Sequence, residues 1–315
     1  MSVELITLGT AAGPAIRGSE PGICSAVRVG DRFYLIDFGL GCTRAAAEAG
    51  LKGKHFTAGF VTHLHSDHVV ELPGFLLWNW GKPVEGFTEP FRIVGPGKDP
   101  HREGGEDLAG TAELVGKTLE GFSYDIDIRI QDEARPNLHE LVQTEEITVP
   151  EEPIFQVYRD DAVTVNATLV EHPPVYPAFA FRFDTNEGSI VFSGDTAKSE
   201  ALVEPARGAD ILVHEAVNLD FYKEQGFSGA FLNHQACSHT SPPMRARWRR
   251  KPAWAAWCCP TSPESRPSSG GQNKPQPSTT APSQWHAQAT ATRSPSSRCS
   301  TEPASPAAAT LPAVS

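Results

Sequence analysis

A run of metal-ligand side chains, THLHSDH at residues 62–68, constrains the fold and chemistry of this chain more than any other feature. It directly follows an apolar segment of β-type composition. Side chains alternate along an extended segment, so His63 and His65 are expected on the same side, where both can bind one ion. Asp67 and His68 lie where the chain turns into a helix, displaced enough to bind a second ion.

A polar loop whose histidines merely cap the next helix is the alternative interpretation of this run. Three imidazoles and a carboxylate within six residues rarely arise that way. Imidazole nitrogens and carboxylate oxygens are ligands that suit zinc. We therefore predict a zinc site at the end of this strand.

Short β-type and helical segments alternate through residues 1–242. Periodicity and Gly/Pro punctuation predict strands at residues 3–8, 25–29, 33–37, 56–62, 91–94, 163–171, 179–184, 190–193 and 211–214, and helices at residues 43–51, 69–80, 108–119 and 198–207. Residues 101–160 are polar and less regular and are expected to form an insertion or lid. Trp78 and Trp80 are expected in the core. The pattern predicts an α/β body of two sheets covered by helices.

Residues 243–315 have a different composition from the rest of the chain. They contain 12 of the 27 prolines, but only one Leu, one Val and no Ile, Phe or Tyr. Such a segment cannot bury enough apolar surface to offset its ordering entropy, so a folded domain at 1–242 and a disordered tail at 243–315 are expected. The tail has nine basic and two acidic residues, a net of +7, which leaves −18 for residues 1–242. The acidic body has no broad basic face for phosphate, and no DNA partner is predicted.

The cellular compartment is predicted from three features that the sequence does not show: a secretory signal, a membrane-spanning stretch and a disulfide framework. The opening MSVELITLGT has no basic flank followed by an apolar run, and no stretch of about 18 apolar residues could span a membrane. Cys24, Cys42 and Cys237 are widely separated, which does not indicate a disulfide framework. A soluble cytoplasmic protein without a membrane partner is the expectation.

The run at residues 62–68 resembles the metallo-β-lactamase superfamily, whose signature is His-x-His-x-Asp-His after a strand. The resemblance covers residues 1–242 and is nearest to the branch of ribonuclease Z and the arylsulfatase-like hydrolases. Its supporting motifs are LGT at 8–10, LIDFG at 35–39, LPG at 72–74, SGDT at 193–196, VHEA at 213–216 and SHTS at 238–241. The resemblance implies an αββα sandwich and a binuclear zinc site.

The same resemblance implies which side chains hold the metals. His63, His65 and His172 would bind the first zinc, Asp67 and His68 would begin the second site, and Asp195 would bridge the two. Taken alone, His172 would more often be structural, and Asp195 could be the N-cap of the next helix.

The implied reaction is hydrolysis by hydroxide that the metals make available. Asp67 could accept the proton of water, and His239 resembles the ribonuclease Z histidine that protonates a leaving oxygen. Glu215 could orient that imidazole, although residues 238–241 could equally be an ordinary helix cap. The expected substrate is an RNA phosphodiester, such as a tRNA 3′ trailer, or another small ester (carboxyl, lactone or sulfate). Substrate identity and oligomeric state stay open, with a homodimer among the arrangements of the resembled branch.

The resemblance ends at Pro242. The superfamily continues with a helix and a buried strand that ends in the last zinc ligand, a His, whereas PMRARWRRKPAWAAWCCPTS indicates neither the strand nor the His. Codons read one base earlier can encode DAGAVAAEAGVGGLVLSHL from Met244, an Ala-rich helix and a buried strand that ends in His. We hypothesise a one-base frame slip near residues 242–244. Without such a frame slip, the second zinc site lacks a ligand, since nothing supports His286 as a substitute. The alternative to an enzyme is then an inactive remnant with impaired metal binding.

Overall fold

The computed structural model of the protein describes residues 2–105 and 108–241, together with the backbone of one strand at Ala255–Pro260. The first sheet has two antiparallel pairings followed by three parallel ones. In order across the sheet, its strands are β1 (Val3–Gly9), β2 (Cys24–Val29), β3 (Arg32–Ile36), β4 (Phe56–Phe60), β5 (Phe91–Pro96) and β6 (Val142–Ile147).

The second sheet contains the remaining six strands of the described chain. In order across the sheet, these are β7 (Phe155–Arg159), β8 (Val163–Leu169), β9 (Phe179–Thr185), β10 (Ser189–Phe192), β11 (Ile211–Ala216) and β12 (Ala255–Pro260). Pairing is antiparallel from β7 to β10 and parallel from β10 to β12.

Helices connect the strands and cover the sheets. They are α1 (Cys42–Glu48), α2 (Ser66–Val69), α3 (Leu72–Trp78), α4 (Thr111–Gly121), α5 (Ser123–Glu133), α6 (Leu138–Leu141), α7 (Val203–Ala206), α8 (Leu219–Glu224) and α9 (Gly229–Ser238). None of the helices in the described part of the chain is long and apolar enough to cross a membrane.

The alternation of side chains along β3 separates two hydrophobic cores. Phe33 and Leu35 pack in a core that also contains Phe75 of α3. Tyr34 and Ile36 point to the opposite face, into a core shared with the second sheet. Because successive side chains of a strand point to opposite faces, this one strand contributes to both layers.

Aromatic side chains fill the space between the two sheets. The ring of Phe60 lies 5.6 Å from that of Phe181 and 5.1 Å from that of Phe183, in edge-to-face contacts. On the outer face of the second sheet, Val191 packs with Leu202, which precedes α7. The order of layers is therefore helix, sheet, sheet, helix, and the predicted αββα sandwich is confirmed.

Residues 101–160 are not a separate insertion or lid. They contribute α4, α5 and α6 and the edge strands β6 and β7, one to each sheet. The four residues between Val142 and Ile147 are exposed, so β6 lacks the apolar alternation that would have identified it. Of α5, only Ile126 is buried, and its sequence is correspondingly polar.

Other differences concern single elements. The helix predicted at residues 198–207 shortens to α7, and α8 and α9 were not predicted. Trp80 is fully buried, and its indole N–H donates to the carbonyl oxygen of Pro136 (2.9 Å). Trp78, however, is 77% exposed at the end of α3, so its predicted place in the core is wrong.

The absence of a strand after Pro242 is also corrected. β12 pairs in parallel with β11 from Ile211 opposite Ala255 to Ala216 opposite Pro260. It forms the edge of the second sheet, and its sequence contains an aromatic residue, a type that is enriched in strands. The other residues of the predicted tail, including His286, lie outside the described residues, and the frame-slip hypothesis stays a prediction.

Candidate metal centre

The candidate site lies where strands of both sheets end. The chain leaves β4 at the ligand-rich run, and the Thr62 N–H donates to the carboxylate of Asp37 (2.8 Å), which directly follows β3. The Phe179 N–H, at the start of β9, donates to the carbonyl oxygen of Thr62 (2.9 Å) and ties the second sheet to this point. His172 follows β8 and Asp195 follows β10. The folding of the two sheets therefore brings distant parts of the sequence to one place.

Three imidazoles converge at the centre of this site. His65 Nδ1 lies 3.0 Å from His63 Nε2 and 3.2 Å from His172 Nε2. His63 and His172 are buried, whereas His65 is partly exposed. Ligand atoms of the three side chains lie close enough together to hold one metal ion.

The far nitrogens of two of these imidazoles are already engaged. His172 Nδ1 lies 2.8 Å from the carbonyl oxygen of Ser238, so it carries the proton and donates. His63 Nδ1 lies 3.1 Å from the Thr62 hydroxyl oxygen, whose own hydrogen bond is to Asp37 (2.9 Å). Each Nε2 is thereby left with a lone pair that faces the other imidazoles.

Burial favours the neutral form of these two histidines. It lowers the pKa of His63, and it lowers the pKa of His172 to about 4. Neutral imidazoles with converging lone pairs repel one another unless a cation lies between them. The three residues therefore fit a bound metal ion, with His172 oriented by a hydrogen bond on its other nitrogen, as metal-binding histidines usually are.

A second group of ligand atoms lies next to the first. His68 Nε2 is 3.4 Å from Asp195 Oδ2 and 3.7 Å from Asp67 Oδ2, while His68 Nδ1 is held at 2.8 Å by Asp37 Oδ2. His63, His68 and Asp195 form a group that could hold an ion. Asp67 is positioned by the Gly13 N–H, which donates to its Oδ2 (2.9 Å).

The His68 Nε2 atom shows that this second group also suits a cation. It is buried and has no hydrogen-bond partner in the described part of the chain. Burial alone would lower the pKa of His68, but the carboxylates of Asp195 and Asp37 outweigh it and raise the pKa well above its usual value. Positive charge is therefore stabilised at this place, and the donors are those that zinc binds.

Asp195 reaches the site through a turn that only glycine fits well. Gly194 has a φ of +58°, and a Cβ there would lie 2.8 Å from the carbonyl oxygen of Phe179. Asp195 is also part of a third group of ligand atoms, with His172 and His239. It therefore lies between the two imidazole groups, the place that the resemblance assigns to a bridging carboxylate.

His239 follows α9 and contacts a buried carboxylate. Its Nδ1 lies 3.2 Å from Glu215 Oε1 and 3.8 Å from Asp195 Oδ2. Glu215 Oε1 also accepts the N–H groups of Thr240 (2.9 Å) and Thr196 (3.2 Å). Burial would lower the pKa of His239, but its hydrogen bond to Glu215 and the charge of Asp195 raise it.

The structure thus brings all the predicted site residues together, and it adds one that sequence reasoning did not assign. The eight predicted residues are His63, His65, Asp67, His68, His172, Asp195, Glu215 and His239. The added residue is Asp37, 2% exposed, which bonds both the start of the run and the His68 imidazole. The sequence feature that could have indicated Asp37 is the LIDFG motif, in which a single acidic residue follows an apolar strand.

The histidines without a predicted role lie outside the three groups of ligand atoms. His234 contacts the hydroxyl of Ser238 (3.2 Å), and the ring of His101 contacts that of Tyr176. His55 and His139 belong to none of these groups.

Comparison with known proteins decides the family. The sequence matches the metallo-beta-lactamase superfamily over residues 18–221. The chain belongs to the metallo-β-lactamase superfamily. The groups described above are those that could hold a metal ion in the described part of the chain.

Two similar proteins within the superfamily are named ribonuclease Z. The chain is 33% identical to the ribonuclease Z of Mycobacterium bovis (strain BCG / Pasteur 1173P2) over 218 residues, which cover 69% of this chain and 71% of that protein. It is 32% identical to the ribonuclease Z of Mycolicibacterium gilvum (strain PYR-GCK), covering 69% and 70%. The crystal structure of human tRNase Z, short form, has the same fold, with a TM-score of 0.53 at 23% identity over 76% of this chain and 92% of that one. This superfamily member is a metal-dependent hydrolase.

Proposed function

We propose that the protein is a zinc-dependent endoribonuclease of the ribonuclease Z type, which removes 3′ trailers from tRNA precursors. The observation that carries the proposal is the convergence of His63 Nε2, His65 Nδ1 and His172 Nε2 within 3.0–3.2 Å contacts. The relatives named ribonuclease Z, at 32–33% identity, support the substrate.

Two zinc ions are part of the proposal. His63, His65 and His172 would hold the first, Asp67 and His68 the second, and Asp195 would bind both. Bound zinc would lower the pKa of water to near neutrality and polarise a phosphoryl oxygen.

The protein's own proton transfers involve three side chains. Asp67 would accept a proton from the attacking water, and His239 would give one to the leaving oxygen. Glu215 would keep His239 oriented and charged, because its carboxylate faces Nδ1 at 3.2 Å. Burial raises the pKa of Glu215, and its hydrogen bonds with His239 and Thr240 oppose that rise.

The second zinc is expected to bind more weakly than the first. The resemblance requires a further His at the end of the last strand, and the AAWCCP sequence of β12 contains none. As the sequence stands, the second site would rely on Asp67, His68 and Asp195 alone. If that loss abolishes turnover, the chain is the inactive remnant considered above.

Hydrolysis of a small carboxyl, lactone or sulfate ester is the second candidate function. It is favoured by the net charge of −18 on residues 1–242, which repels RNA, whereas a small ester needs no basic surface. We place either activity in the cytoplasm. Light scattering of the purified chain would distinguish a monomer from a homodimer.

Metal analysis combined with a substrate panel tests the proposal. The full-length chain, His65→Ala and the surface control His139→Ala are analysed for zinc. Each is then assayed with a tRNA precursor, bis(p-nitrophenyl) phosphate and p-nitrophenyl acetate. We expect zinc and trailer removal in the parent and in His139→Ala, and loss of both in His65→Ala.

Cleavage of the carboxyl ester alone would support the small-ester function instead. Purified chain that takes up no zinc, or takes it up without hydrolysing any substrate, would contradict the enzyme proposal.

A further inference from the structure

We propose that His101 and Tyr176 form a stacking contact for an unpaired base of the RNA, next to the bond that is cleaved; this inference rests on the proposed ribonuclease function. The two rings meet with centroids 4.7 Å apart at an interplanar angle of 63°. Neither residue has a place in the three groups of ligand atoms or in the proton transfers described above.

Tyr176 belongs to the same short loop as the metal-site residue His172. The loop is closed at its base by the Val170 N–H, which donates to the carbonyl oxygen of Ala178 (2.9 Å). Inside it, the Val175 N–H donates to the carbonyl oxygen of His172 (2.8 Å). Tyr176 is therefore the residue that directly follows the turn around His172, at the margin of the metal centre.

His101 reaches the same margin from the other sheet. It follows β5, the neighbour of β4, and β4 leads into the ligand-rich run at residues 62–68. The His101 N–H donates to Asp99 Oδ1 (2.8 Å), which fixes the turn before the ring. Loops from the two sheets thus touch beside the metal centre through these rings.

Both rings are available to a ligand. His101 is exposed and Tyr176 is partly exposed. Among residues 2–105 and 108–241, neither ring has a hydrogen bond or an ion pair, and the contact between them is edge to face. A base that stacks on the face of one ring would also meet the edge of the other, an arrangement that aromatic rings favour.

The charge of the molecule favours stacking as the source of RNA affinity. Residues 1–242 carry −18, and residues 98–103 of the His101 loop have no net positive charge, because Asp99 and Glu103 balance Lys98 and Arg102. Base stacking on aromatic side chains does not depend on net charge and tolerates any base. The chemical class recognised is therefore a single-stranded nucleotide rather than a duplex backbone.

Binding of two labelled oligonucleotides tests the proposal. One is a fluorescein-labelled adenylate octamer, and the other is the same octamer with four central abasic residues. Fluorescence anisotropy gives the Kd of each for the zinc-loaded full-length chain and for His101→Leu, Tyr176→Leu and Tyr176→Phe. His139→Leu, on the exposed part of α6, is the matched control, and melting temperatures establish that each variant folds.

We expect the parent, Tyr176→Phe and His139→Leu to bind the adenylate octamer about tenfold more tightly than the abasic one. Tyr176→Leu and His101→Leu should lose most of that difference while binding the abasic octamer as the parent does. The inference is overturned if the parent shows no preference for the bases, or if the leucine variants weaken binding of both octamers equally.

Trailer removal from a tRNA precursor, measured in parallel, separates this inference from the proposed function. A Tyr176-dependent base preference without any RNA cleavage would overturn only the function. Cleavage without a base preference would overturn only the stacking contact.

Discussion

At the scale of single residues, each buried imidazole of the metal centre is oriented by an acceptor on its far nitrogen. Asp37 is the most connected of these acceptors, since it holds His68 directly and His63 through the hydroxyl of Thr62. Removal of an acceptor behind a metal-binding histidine typically weakens metal binding 10–100-fold. The ligands are therefore only part of what determines zinc affinity.

Asp37→Asn should weaken zinc binding by about tenfold or more, because the amide has no charge to hold His68 and Thr62. Competition with a chromophoric chelator measures the affinity. Asp160→Asn is the control. Like Asp37, Asp160 is a carboxylate with several hydrogen bonds, in its case from two backbone N–H groups and two tyrosine hydroxyls, but none of these partners is a candidate metal ligand. Equal zinc affinities for the two variants would show that Asp37 does not position the site.

His239→Asn should retain zinc but lose about a hundredfold in turnover of a substrate with a poor leaving group. With p-nitrophenolate as the leaving group, the loss should be small, because that oxygen departs without a proton. His139→Asn serves as the control on both substrates. The role of His239 in protonation is wrong if the variant slows hydrolysis of both substrates to the same extent.

Site residues that lie in one short stretch of sequence were easier to predict than site residues that come together only in the folded chain. Four of the predicted residues lie within six positions of one another, at 63–68, and need no long-range information. His172 and Asp195 could be assigned only through the family resemblance, because nothing local distinguishes a metal ligand from a structural histidine or a helix cap. The role of Asp37 is visible only once β3 and β4 are adjacent.

At the scale of elements, the central strands and the edge strand β1 were predictable, whereas β6, β7 and α5 were not. β3 and β10 are largely buried on both faces because a layer packs on each side, so their sequences alone identify them. β6 and α5 each cover only one side and bury few residues, so the sequence at 101–160 looked like an irregular insertion. The weak signal is a consequence of their position in the sandwich.

Gly194→Ala tests whether the turn after β10 determines where Asp195 lies. The Cβ would meet the Phe179 carbonyl at 2.8 Å and the backbone has a φ of +58°, so we expect a loss of about 3 kcal/mol in unfolding free energy together with weaker zinc binding. Gly208→Ala is a matched control, because its φ is +66° but nothing lies within 4 Å, and it should lose only about 1 kcal/mol. Urea denaturation measures the unfolding free energy of both variants, and competition with a chromophoric chelator measures their zinc binding. Similar losses would show that close approach at Gly194 is unimportant.

At the scale of the whole molecule, the metal centre exists only because two sheets pack together. The first sheet supplies the run at residues 62–68, and the second supplies His172, Asp195, Glu215 and, through α9, His239. Neither sheet alone has a complete set of ligands. No pattern within either half of the sequence could therefore have predicted the distances between them.

The edge strand β12 gives the frame-slip hypothesis a structural location. Its carboxyl end lies beside Ala216, which directly follows Glu215, because Ala216 pairs in register with Pro260. Read one base earlier, the codons from Ala256 to Thr261 can encode Leu-Val-Leu-Ser-His. The missing ligand would then stand directly after this strand, at the same edge of the sheet as Glu215.

Resequencing the gene across residues 242–261 decides the matter. We expect one base to be missing or added near Met244, and we expect the corrected chain to bind two zinc ions tightly where the chain described here binds the second weakly. Zinc analysis of both chains, expressed side by side, measures the difference. Codons that cannot encode the shifted strand would eliminate the hypothesis, and the Trp- and Cys-containing β12 would then be the true edge of an enzyme with an incomplete second metal site.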